Sequence, residues 1–334
     1  MLKKWIFVLI LLCSIGLFGC QQKQASEWKK TDTPQQTEPT EQPTDETEVQ
    51  PDIETEPGNE PEPAVIHIID PSTNEIIHTL SPIDLGFEMD IEAYIAKIEK
   101  LAKELARGTE GKSGYDQRMI LDKLDDQGQV IKGSPLILLR ENILVERIME
   151  VSAEGGDVEL PIEVTESGYD QEDVPHLDDV TIATYTTYFN PSDTNRNKNI
   201  ELSAKAINNV IIGSGDHFSF NTVVGPRDEA NGYQPAPEII NKKLVMGIGG
   251  GICQTSSTLF NAIDQLPVKY IERHHHSIDI GYVPKGRDAT VSYGALDFRF
   301  QNTTDAPLLV KAIYGKNFLT VEIRTSQKYV DVLK

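Results

Sequence analysis

The chain has 334 residues, 39% of them hydrophobic, and 52 acidic against 31 basic side chains give it a formal charge of −21. So acidic a chain argues against a nucleic-acid partner, whose phosphates need a basic face, and three cysteines are too few for a disulfide-stapled scaffold. The length suits two domains.

Residues 1–19 place Lys3 and Lys4 before an apolar run and end in small residues, the pattern of an export signal too short for a permanent membrane span. Leu17-Phe18-Gly19-Cys20 is similar to the lipobox of bacterial lipoproteins, whose cysteine becomes the lipidated first residue; the alternative is an ordinary signal with a chance cysteine. With the lipobox, Cys13 leaves with the signal and Cys20 anchors the chain at the outer face of the cytoplasmic membrane. Cys253 is then the one free thiol. Over residues 20–64, Pro, Thr, Glu and Gln dominate, with about 12 acidic and 3 basic residues. That composition buries too little apolar surface to offset chain entropy and predicts a disordered, acidic tether.

The first folded segment spans about 65–175. Val65–Ile69 and Ile76–Leu80 flank the turn-like Pro71-Ser72-Thr73-Asn74-Glu75 and predict a hairpin. Ile91, Tyr94, Ile95, Ile98, Leu101 and Leu105 recur at helical spacing between an Asp90 cap and Gly108. A second helix is predicted over Asn142–Ser152, then an alternating strand over Val158–Val164. Nothing here has nucleophile or metal-ligand spacing, and the segment reads as a small α+β module that packs or adheres.

The second segment, about 180–325, holds the chemistry. Asn199 reads as the cap of a helix over Ile200–Ile212, closed by Gly213-Ser214-Gly215. The glycines before Ile252 cannot sit in a helix interior, whereas Ile252 to Asp264 can be helical, which puts Cys253 in the first turn. Strands are predicted over Val268–Glu272, Ile278–Val283 and Leu296–Phe300, then a hairpin of Leu308–Tyr314 and Phe318–Arg324. A helix followed by antiparallel strands is α+β logic.

A helix N-terminus favours a thiolate, a histidine from a following strand can pair with it, and a carboxylate can orient the imidazole. Cys253, then His274, His275 or His276, then Asp288 or Asp297, supplies that order. Against this stands a small buried cysteine in a glycine-rich packing segment. Adjacent strand residues face opposite ways, so the three histidines cannot converge on one metal; Cys253 with His274 and His276 is a conceivable zinc set. Arg273 and Arg287 are either a bidentate grip for a carboxylate or ordinary surface arginines.

These residues resemble the VanW-like family. The resemblance rests on Phe218-Ser219-Phe220-Asn221 with Val224-Gly225, on Gly232-Tyr233, and on Gly249-Gly250-Gly251-Ile252-Cys253-Gln254 with Ser256-Ser257-Thr258-Leu259-Phe260-Asn261. It extends through Arg273 with His276-Ser277, Tyr282-Val283-Pro284, Gly286-Arg287-Asp288-Ala289-Thr290-Val291, and Asp297-Phe298 with Phe300 and Asn302. It covers roughly Ala183 to Ile323 and implies a bacterial cell-wall setting, linked to glycopeptide resistance, without an established reaction. The first segment would fill the place of a peptidoglycan-binding module. By the resemblance His276 becomes the preferred base and Asp288 the preferred orienting acid, with Asp297 second. The expectation is an envelope lipoprotein acting on peptidoglycan or its stem peptides by Cys–His amide chemistry, with no cofactor and no metal. Gly249, Gly250, Gly251, Gln254, Arg273 and Arg287 would bind substrate. The alternative is a non-catalytic wall-binding protein whose glycine-rich helix start cradles an anion.

Overall fold

The computed structural model describes residues 63–240 and 242–333. The expected signal, Cys13, the Cys20 lipidation site and nearly all of the tether lie outside the described residues. Among the described residues, no helix is long and apolar enough to cross a membrane. The fold is α+β, with helices packed on several mostly antiparallel sheets.

Ile66–Ile69 and Ile76–Leu80 form the predicted antiparallel hairpin. Helix α1, Ile91–Arg107, is capped by the Asp90 carboxylate, which accepts from the Ala93 N–H at 3.0 Å. It buries Tyr94, Ile98 and Ala102 completely. Each large apolar side chain so buried contributes about 1.5–3 kcal/mol. Helix α2, Glu141–Val151, closes this core with Leu144 and Ile148.

The alternating run over Val158–Val164 is not one strand. Pro161 supplies no N–H, and the chain breaks there into Gly156–Glu159, parallel to the first strand, and Ile162–Thr165, antiparallel to Leu136–Leu139.

Six strands make the main sheet in the order Val180–Tyr188, Phe318–Thr325, Leu308–Tyr314, Val210–Ile212, Lys123–Leu124 and Val130–Ile131. The last two come from the first predicted segment, and Met119 and Leu121 enter the larger core.

Helix α3 is Thr194–Ile207, not Ile200–Ile212. Asn209 at φ 64° breaks the helix, and the apolar Val210–Ile212 that follows is a sheet strand. Asn199 is therefore no cap. It lies inside α3, fully buried, where its side-chain amide donates to the carbonyls of Gln234 and Gly250, both at 2.9 Å. That clamp fixes the glycine turn.

Helix α4, Ile252–Ile263, starts where the glycines end, with Gly251 at φ 106° as its cap. It is sealed in the core although half its residues are polar, and Gln254, Thr255, Ser256, Ser257 and Thr258 are each fully buried. The strand expected over Ile278–Val283 is irregular backbone, and the one expected over Leu296–Phe300 is a strand at Arg299–Gln301.

Candidate functional site

The polar residues of α4 place the site. Ser256 donates to the Ala289 carbonyl at 2.5 Å, Ser257 accepts from the Ala289 N–H at 2.9 Å, and Asn261 donates to the Arg287 carbonyl at 2.7 Å. Asp288 is thus gripped from both sides by one buried helix. On its far edge the same segment pairs with the histidines, the Thr290 N–H donating to the His274 carbonyl at 2.8 Å.

Asp288 organises two of the three histidines. Its Oδ2 accepts from the His276 backbone N–H at 2.7 Å and lies 2.8 Å from His276 Nδ1; its Oδ1 lies 2.8 Å from His275 Nδ1. Burial pushes the carboxyl up, but the His276 N–H and the His275 and His276 side chains outweigh it and hold it at about 2. The carboxylate is therefore ionised at neutral pH and can only accept, so both Nδ1 atoms carry protons. In His275 the remaining Nε2 already accepts from Arg273 Nη2 at 3.2 Å. In His276, whose side chain is only 8% exposed, Asp288 engages Nδ1 and leaves Nε2 for another partner. His274 turns away and contacts the Glu272 carboxylate at 3.0 Å.

Cys253 and His276 line one cavity of about 690 Å³, together with Gly251, Tyr282, Arg196 and Glu238. The half-buried thiol donates to the Val291 carbonyl at 3.5 Å and not to a histidine. Burial raises its pKa; the Val291 hydrogen bond and the Arg227 charge act the other way without cancelling it. At rest this is a thiol. Among the described residues, no three His, Cys, Asp or Glu side chains form a metal-binding group.

The remaining residues singled out by sequence lie apart from this centre or behind it. Asp297 does not face His276: its carboxylate accepts from Ser219 Oγ at 2.6 Å, Arg118 Nη1 at 3.0 Å, Asn221 N at 2.9 Å and Phe298 N at 2.8 Å. Gln254 spends its whole amide inside the core, accepting from Arg196 at 2.8 Å and donating to Thr187 and Tyr188. Arg273 and Arg287 both stack on Phe260, 4.1 and 4.8 Å from its ring centroid, and Arg287 also pairs with Asp264 at 2.5 Å. Neither lines the cavity of Cys253. Gly250 lets two backbones touch, since a Cβ there would sit 2.5 Å from the Ala236 carbonyl oxygen of the hairpin Pro235–Ile248. The N–H groups of Ile252 and Gln254 are already bonded to the carbonyls of Gly249 and Gly251.

Arg196, Arg227 and Glu238 were not singled out by sequence. Arg196 lies in the first turn of α3, ahead of the helix expected from Ile200, and Glu238 lies on the hairpin Pro235–Ile248. Burial lowers the pKa of both arginines and raises that of Glu238.

Residues 195–324 match the family model described as VanW like protein. The protein YoaR of Bacillus subtilis, described as uncharacterized, is 41% identical over 191 residues, covering 57% of this chain and 63% of its own length. The vancomycin B-type resistance protein VanW of Enterococcus faecalis is 36% identical over 112 residues, 32% of this chain and 41% of its own length. The chain spans less than two thirds of each of these curated relatives. No solved structure matches it. Residues 195–324, which include Cys253, His276 and Asp288, are thus the part of the chain that is similar to the VanW-like family.

Proposed function

We propose that this chain acts at the bacterial cell wall, on the peptide part of peptidoglycan, with Cys253 as nucleophile. The wall setting is supported by the VanW-like family and by the relative whose printed name is a vancomycin B-type resistance protein. The chemistry rests on one observation: Cys253 and an Asp288-held His276 line the same cavity at the start of a buried helix.

In this reading the sulfur attacks an amide carbonyl of a stem peptide while His276 Nε2 takes the thiol proton. The same proton passes to the leaving amine as the C–N bond breaks, giving a thioester on Cys253 and a free amine. Water or a second amine then opens the thioester. Asp288 keeps the proton of His276 on Nδ1 and stabilises the imidazolium, and the N-terminus of α4 favours the developing oxyanion. The test is incubation of the purified chain with muropeptides and mass analysis of the products. New products are expected from the wild type and none from Cys253→Ala or His276→Gln; identical product patterns from wild type and Cys253→Ala would sink the reading.

The raised thiol pKa and the Val291 hydrogen bond favour a second reading, a non-catalytic site that binds a wall peptide. Muropeptides retained unchanged by both wild type and Cys253→Ala would establish it. In either reading Cys20 tethers the chain to the outer face of the membrane. Incorporation of labelled fatty acid in cells, lost in Cys20→Ala, is the expected result.

A further inference from the structure

A carbonyl attacked by Cys253 becomes an oxyanion, which needs hydrogen-bond donors fixed in advance. The first turn of α4 has few to give. The N–H groups of Ile252 and Gln254 are spent on the carbonyls of Gly249 and Gly251, at 3.3 and 2.9 Å, and that of Cys253 between them meets no acceptor among the described residues. A second donor must come from a side chain of the cavity. Thr290 donates to Asp288 at 3.4 Å, Arg196 Nη2 donates to Gln254 at 2.8 Å, and Ser277 and Ser292 are exposed to solvent.

Tyr282 lines the same cavity and differs from all of these. It is half-buried in the irregular backbone after the histidines, beside Val283, which is buried. The Arg196 guanidinium carbon lies 5.9 Å from its ring centroid and braces the ring. The Ser257 hydroxyl, whose oxygen accepts the Ala289 N–H at 2.9 Å, donates toward the Tyr282 oxygen. The phenol proton itself meets no acceptor among the described residues. Burial, and after it the charge of Cys253, push the phenol well above its usual range, while Ser257 and Arg196 act the other way. At neutral pH it is therefore an O–H donor. Of the charged groups around its oxygen, the Cys253 sulfur acts on it most strongly.

We infer that Tyr282 is a catalytic residue whose O–H, together with the Cys253 N–H, holds the oxyanion, an inference that rests on the amide chemistry proposed above. As the C–S bond forms, the carbonyl π electrons move onto oxygen and the thiol proton moves to His276 Nε2. The oxyanion accepts from Tyr282 and from Cys253. The C=O bond re-forms as the C–N bond breaks, and His276 passes its proton to the leaving amine. Tyr282 keeps its own proton throughout, acting as a fixed dipole. Its bond strengthens only as charge develops on oxygen, so its effect belongs in kcat and not in KM.

The test is the rate of muropeptide conversion by the full chain, wild type against Tyr282→Phe, over a range of muropeptide concentrations. The Tm of each is measured, and so is calorimetric binding of the same muropeptides to Cys253→Ala with and without Tyr282→Phe. Tyr282→Phe is expected to lower kcat about 100-fold while KM, binding and Tm stay near those of the parent. Arg196→Met is expected to lose less. A kcat close to wild type in Tyr282→Phe would overturn the inference and leave the Cys253 chemistry standing. So would a loss matched in binding or in Tm, which would make Tyr282 a substrate contact or a packing residue, and so would a greater loss in Arg196→Met. No conversion by the wild type would overturn the amide chemistry itself, and this role with it.

Discussion

Asp288 Oδ2 lies 2.8 Å from His276 Nδ1, and the same oxygen accepts the His276 backbone N–H at 2.7 Å. One carboxylate oxygen thus fixes both the ring and the backbone of one residue. The arrangement makes Asp288 a structural anchor as well as an orienting acid, so the two roles separate by pH.

The folded state holds Asp288 at about 2 against an ordinary value of 3.8. A depressed carboxyl pKa stabilises the fold above the unfolded value, and that stabilisation is lost as pH falls through the folded value. The contribution is of order 2 kcal/mol at neutral pH, disappearing between about pH 4 and pH 2. Urea unfolding of wild type and Asp288→Asn is expected to show a stability gap at pH 7 that closes across this window. A gap that stays constant down to pH 2 would show that ionisation of Asp288 contributes nothing.

Burial raises the Cys253 thiol above its usual range, despite Val291 and Arg227. Alkylation by iodoacetamide is therefore expected to be slower at pH 7 than for a free cysteine, and to accelerate only at a higher pH than a free cysteine does. Peptide mapping of the Cys253 label against pH measures this. Full reactivity already at pH 6 would mean a resting thiolate, contrary to the hydrogen bond it donates.

Much of the fold was legible in the sequence. The α1 periodicity between Asp90 and Gly108, the terminal hairpin and the helix start at Ile252 rest on local chemistry, namely caps, turns and glycine avoidance. The error at α3 had a local cause too. Val210–Ile212 continues an apolar run, and nothing but the left-handed Asn209 separates helix from strand. What sequence could not supply was pairing. Arg273 and Arg287 carry the right charge for an anion site, yet both are engaged by Phe260, while the unpaired guanidinium is Arg227. Burial and bonding partners, not residue type, separate these cases.

Asp297 and Asp288 looked interchangeable by spacing, and their surroundings assign them different effects. Asp297 is 2% exposed and accepts from four donors, two of them backbone N–H groups. Replacing it by alanine leaves those donors unpaired and is expected to cost about 3–5 kcal/mol. The measurement is chemical unfolding with Cys253 alkylation of the native protein followed in parallel: stability should fall while the alkylation rate of the folded fraction is kept. A variant as stable as wild type would contradict the structural role.

Gly250 tests whether the glycine turn exists for contact between backbones. A methyl group there would meet the Ala236 carbonyl oxygen at 2.5 Å and the Pro237 carbonyl oxygen at 2.7 Å, and neither can rotate aside as a side chain would. Gly250→Ala must push the hairpin Pro235–Ile248 away from α4, at an overpacking cost of about 1–3 kcal/mol. Gly281→Ala is the control, because nothing lies within 4 Å of its added methyl group, and its change should stay within about 0.5 kcal/mol. Paired thermal unfolding of the two variants is expected to show a Tm drop for Gly250→Ala alone. Because Glu238 and Cys253 face one cavity from the hairpin and from α4, the displaced hairpin should also open that cavity and speed Cys253 alkylation. Equal Tm values with unchanged alkylation would show that the turn tolerates a side chain and that close approach is not why glycine stands there.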